Sequence, residues 1–95
     1  MMYNPPHPGE LLKEELTNYN VSITNAAIEL GISRKHLSNI VNGKAAITPE
    51  IAKKLASYIG SSARMWLAMQ ASFDLWQLRN IHFDIKKIKA TQQVL

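Results

Sequence analysis

The sequence predicts an all-α fold of five short helices, and three kinds of observation predict it. Apolar residues recur at steps of three and four through most of the chain, the period of a helix with one buried face. Helix starts are marked by a capping residue, a proline or an acid, most plainly at Thr48-Pro49-Glu50. Gly31, Asn42-Gly43 and Gly60 follow the periodic segments as stop signals. Ninety-five residues, 46% hydrophobic and 19% charged, suffice for one small core and not for two.

Met1 to Pro6 reads as a frayed leader, because Asn4-Pro5-Pro6 does not easily start regular structure. His7-Pro8-Gly9-Glu10 opens the first helix, with Leu11, Leu12 and Leu16 as its apolar stripe and Lys13, Glu14 and Glu15 outside. Asn18 to Val21 makes a loop, and Ser22 caps the second helix. Asn25 stands where a capping box needs Glu, so that cap is incomplete. Ser33 caps a third helix, roughly Arg34 to Val41. The fourth helix, about Pro49 to Ile59, buries Ile51, Leu55 and Ile59 and leaves Lys53 and Lys54 outside.

Ser61 or Ser62 caps the longest helix, near Ala63 to Arg79. It carries two apolar stripes: Trp66, Met69, Phe73 and Trp76, and beside them Leu67, Ala71, Leu75 and Leu78. One stripe serves the domain's own core; the second implies a partner, the simplest being another copy of the chain. Deeper burial within the monomer is the plainer alternative. Ile81 to Ile85 alternates apolar and polar, as a strand paired with a partner's sheet edge would. So short a tail is more often loosely docked, and that reading is preferred. Residues 1–79 are thus expected to form the domain, with its last helix near 62–79, and 80–95 a short C-terminal tail.

Ile23 to Asn42 is the stretch around which the rest is arranged. Ala27 lets a second helix cross close over the first, and Gly31, four residues on, ends that first helix in a left-handed conformation. Ala26, Leu30, Ile32, Leu37 and Ile40 then fall where two steeply crossing helices share a small core. This is the pattern of a helix-turn-helix unit, whose second helix enters the DNA major groove. On that helix Leu37, Ile40 and Val41 face inward, leaving Ser33, Arg34, Lys35, His36, Ser38 and Asn39 for a partner. Arg grips guanine with two donors and Asn pairs with adenine in the same bidentate way, so Arg34 and Asn39 are expected at base edges. Lys35 or His36 suits bases or phosphate; Thr24, Ser33 and Lys44 suit phosphate.

Charge points the same way. Residues 1–32 hold Lys13 against Glu10, Glu14, Glu15 and Glu29, whereas 33–64 hold Arg34, Lys35, Lys44, Lys53, Lys54 and Arg64 against Glu50 alone. A basic half within a net charge of +4 fits a polyanion such as double-stranded DNA. Other chemistries find little support. Cysteine is absent, so disulfides and thiolate metal sites are excluded. His7, His36 and His82 show no ligand pairing, Ser33 and His36 have no oxyanion architecture, and no glycine loop cradles phosphate. No metal, cofactor or enzymatic activity is expected, and the lack of a long apolar run or leader suggests a cytoplasmic protein without membrane contact.

The motifs His7-Pro8-Gly9-Glu10, Gly31-Ile32-Ser33-Arg34, Leu37-Ser38, Asn42-Gly43-Lys44, Ile47-Thr48-Pro49-Glu50, Trp66-Leu67, Gln70 and Asp74-Leu75-Trp76 together resemble the HigA antitoxins. These are short helix-turn-helix proteins of the XRE, or phage-repressor-like, family, also described as VapI-like addiction-module antidotes. The resemblance covers roughly residues 7–79. It implies a five-helix homodimer joined through the last helix, repression of its own operon at a palindromic operator, and a HigB-type mRNA interferase toxin as partner. Residue by residue it places Thr24, Ser33, Arg34, Lys35, Ser38, Asn39 and Lys44 at the DNA-facing positions. Two departures stand out: Ala63-Arg64 replaces the usual Pro-Glu, and Asn25 replaces Glu. A stand-alone phage-type regulator without a toxin, and a protein-interaction module freed from DNA, remain as rival readings.

Overall fold

The computed structural model describes residues 4–89. Five helices follow in order: α1 (Pro8–Asn18), α2 (Ile23–Leu30), α3 (Arg34–Val41), α4 (Pro49–Ile59) and α5 (Ala63–Gln77), with no strand among the described residues. The architecture is the all-α one expected. Each start is capped by a side-chain acceptor in extended backbone: His7, Ser22, Ser33, Thr48 and Ser62. Ser22 Oγ accepts the Asn25 amide at 3.1 Å, so the forward half of that cap forms even without Glu at the third position. Gly31 ends α2 at φ 71°, which brings α3 back across α2 after a short turn.

The core sits where these crossings converge. α2 packs on α3, α1 on α3 and α5, and α4 on both α2 and α5. Leu12, Leu37, Ile40, Ala52 and Leu55 are fully excluded from water, with Trp66 closing the side toward α5. Burial of one such leucine contributes about 1.5–3 kcal/mol. The two small residues Ala26 and Ala27 are buried at the α2–α3 crossing, as close helix approach requires. Lys54 is not wholly outside: it folds along α4 so that its Nζ lies 3.3 Å from Glu50 and 3.5 Å from the Gly31 carbonyl at the end of α2. A cation there is favourable toward the helix dipole.

Two expectations are corrected, and one alternative is set aside. α5 ends at Gln77, two residues early, because Leu78 and Arg79 bond back to Leu75 and Trp76 in tight turns. Arg79 Nη1 closes the end by donating to the Trp76 carbonyl at 2.8 Å, its guanidinium 3.9 Å from the Trp76 ring centroid. The leader is not wholly frayed: Pro5 is buried, and Pro5 and Pro6 line a shallow apolar hollow with Met65, Ala68 and Met69 (Met1 to Tyr3 lie outside the described residues). Residues 81–89 run exposed without strand pairing, since no sheet edge among the described residues meets their alternation. Residues 90–95 of the tail lie outside the described part.

Candidate nucleic-acid interface

α3 is pinned from below by Leu37, Ile40 and Val41, all buried. At 100° per residue, Lys35 and Asn39 then point most directly away from the core, with Arg34 and Ser38 on one flank and His36 on the other. Arg34 and Lys35 are exposed, while His36, Ser38 and Asn39 are half-buried, so the outer face is a short row with polar tips. No acidic side chain lies on α3. The α3 residues expected at the site, Arg34, Lys35, His36, Ser38 and Asn39, are thus left off its buried face.

Their local partners are specific. Ser33 Oγ accepts the main-chain N–H of His36 at 3.0 Å, which makes the pair a helix cap and leaves the hydroxyl proton to donate outward. Arg34 Nε donates to Thr24 Oγ1 at 2.9 Å, linking the first turn of α3 to the first turn of α2. Asn42 Nδ2 donates to Ser38 Oγ at 3.3 Å. The Asn39 carbonyl accepts the amides of Lys44 (2.7 Å) and Ala45 (3.1 Å), so the exposed Lys44 leaves α3 on a folded turn rather than a loose loop.

Behind this surface lies a polar cluster that sequence reasoning did not single out as structural. Gln70, buried on α5, accepts the Ile47 amide at 2.8 Å and donates to Asp74 at 2.9 Å. His7 is buried as well: its Nδ1 accepts the Gly9 amide at 2.8 Å, and its ring meets Phe73 edge-on, centroids 4.9 Å apart. Burial pushes the His7 imidazole below its ordinary value, against the opposing pull of Asp74, a backbone hydrogen bond to Ala45 and Glu10. At Gly9 a side chain would collide with the Ile40 main-chain oxygen, so α1 lies directly against the last turn of α3. The signal for the cluster was present: Gln70 interrupts the apolar row Trp66 and Phe73 at helical spacing.

On α5 the second stripe is largely free. Leu75 is 70% and Leu78 45% exposed, and Ala71 is exposed, whereas Leu67 is half-buried against the protein's own core. Arg64 is exposed at the start of α5, and the one ion pair among the described residues is Lys54–Glu50. Among those residues no three His, Asp or Glu side chains converge as a metal site, and no helix is long and apolar enough to cross a membrane.

Two short helices crossing at a glycine turn, the second carrying a core-anchored polar row, define a helix-turn-helix domain. Comparison with known proteins agrees: the helix-turn-helix family profile matches residues 12–66. Virulence-associated protein A' of Dichelobacter nodosus is 45% identical over 78 residues, covering 81% of this chain and 68% of that one. A solved addiction module antidote protein of a HigA family from Coxiella burnetii is 34% identical, covers 80% and 84% of the two chains, and superposes with a TM-score of 0.75. The Pseudomonas aeruginosa antitoxin HigA, solved with the higBA promoter, is 27% identical over 90% of this chain and 99% of that one, TM-score 0.78. The chain belongs to the XRE-like helix-turn-helix family of transcriptional regulators and antitoxins, in the group that holds the HigA and VapI-like proteins.

Proposed function

We propose that this protein is a homodimeric repressor that binds a palindromic operator with α3 in the major groove, represses its own operon, and serves as antitoxin to a HigB-type mRNA interferase. The observation that carries the DNA-binding half is the row Arg34, Lys35, Ser38 and Asn39, held outward by a buried Leu37, Ile40 and Val41. Arg34 and Asn39 supply base-edge donors and acceptors, Lys35 lies between them with His36 beside Asn39, and Ser33 and Lys44 meet the sugar–phosphate strand. The relatives solved with operator or promoter DNA support this assignment by analogy.

The exposed stripe on α5 supports the dimer. In an antiparallel pair with its axis at Ala71, Leu67 faces Leu75 of the partner subunit, so the part of the stripe from Leu67 to Leu75 is its own complement. Two recognition helices then stand about 34 Å apart, one turn of DNA.

A mobility-shift titration tests the core of the reading, comparing the DNA upstream of the protein's own coding sequence with random DNA of equal length. Selective binding at moderate salt supports a repressor; equal binding to both refutes it. Rescue of cell growth on co-expression with a HigB-type toxin separates the antitoxin from a stand-alone phage-type regulator, which would give none.

A further inference from the structure

Thr24 and Arg34 are ten residues apart and lie on different helices, yet they are joined by the Nε–Oγ1 hydrogen bond of 2.9 Å. A guanidinium carries five N–H donors in one plane, and this contact occupies the one on Nε. The four that remain sit on the two terminal nitrogens. Guanine O6 and N7 can be gripped by Arg through both terminal nitrogens, or through Nε and one of them. With Nε engaged, the end-on grip is the one left open.

The acceptor is itself on a firm base. Thr24 lies in the first turn of α2, two residues after the Ser22 cap and two residues before the buried pair Ala26 and Ala27. Arg34 is exposed and otherwise has the rotamer freedom of a long side chain, which must be surrendered on binding. The Thr24 bond removes part of that freedom before DNA arrives.

We infer that Thr24 is a positioning residue: it holds Arg34 in one end-on presentation and so sets base preference at that place in each half-site, instead of acting as an independent phosphate anchor. The inference rests on the operator-binding reading above.

The test compares wild type, Thr24→Val, Thr24→Ser, Arg34→Ala and the Thr24→Val/Arg34→Ala double variant. Each is titrated against the duplex that wild type selects from a randomised pool, its single-base-pair variants, and random DNA. Thr24→Val keeps the shape and removes the acceptor. It should weaken selected-duplex binding about 2- to 12-fold for each half-site, the cost of ordering one long side chain there, with little change on random DNA. Preference should relax at the same base pair that Arg34→Ala relaxes, the double variant should match Arg34→Ala, and Thr24→Ser should bind as wild type does. Equal proportional loss on both duplexes, with base preference unchanged, would make Thr24 a phosphate anchor and overturn the inference. So would multiplying losses in the double variant, since independent contacts add in free energy. If wild type selects no duplex at all, the operator reading itself falls, and this inference with it.

Discussion

Gln70 on α5 accepts the main-chain N–H of Ile47 at 2.8 Å, across 23 residues of sequence. That single bond ties the longest helix to the segment leading out of the recognition helix. Replacing Gln70 by Leu keeps the bulk but strands a buried N–H, which costs about 1–3 kcal/mol. The expected result is a lower urea midpoint with an unchanged slope, together with faster hydrogen exchange at Ile47. An unchanged midpoint would mean that water replaces the side chain.

His7 makes stability depend on acidity. Burial lowers its folded-state value below the ordinary 6.5, so between these values the unfolded chain binds more protons than the folded one. Stability should therefore fall as pH drops below 6.5 and level off once the folded form is also protonated. Asn at position 7 can still accept the Gly9 amide but does not titrate. Urea midpoints at about pH 7 and pH 5 should converge more closely for His7→Asn than for wild type. Parallel losses in both proteins would place the acid sensitivity elsewhere.

Arg34 and Lys44 should fail differently. Arg34→Ala is expected to cost about 1–3 kcal/mol on the preferred operator and to relax one base pair per half-site. Lys44→Ala should weaken all duplexes alike and flatten the dependence of affinity on salt by about one for each half-site held. Titrations at several salt concentrations, on operator and random DNA, distinguish the two.

A charge in the exposed α5 stripe should separate the protomers. Leu75, at 70% exposure, contributes little to its own core, so Leu75→Glu should leave the helical fold of each protomer intact. Sedimentation should then report a monomer, with operator affinity falling because one half-site alone is held. A variant that still sediments as a dimer would move the interface off this stripe.

Much of this was legible because its causes are local. Ser22, Ser33 and Thr48 announce their helices within three residues, and Gly31 stops α2 by its own backbone freedom. The burial of Leu37 and Ile40 follows from spacing alone. What escaped depends on partners distant in sequence. Nothing near Gln70 names Ile47, nothing near His7 names Phe73, and the need for glycine at position 9 comes from a carbonyl on α3. Thr24 could be placed on the DNA side by position, but its bond to Arg34 is a matter of two side chains meeting in space. The strand alternative at 81–85, not the preferred reading, falls away for a related reason, since a period of two marks a strand only where a sheet edge exists to receive it.

The anchoring of α5 to the exit of α3 bears on the spelling of the operator. In the proposed dimer the two groove readers are joined through α5, and Gln70 with the His7–Phe73 contact braces each recognition helix against that path. One base pair inserted between half-sites turns the second by about 34° around the duplex axis. A dimer braced in this way would resist swivelling to follow, so the helical phase between half-sites should be constrained more strictly than the letters of the spacer.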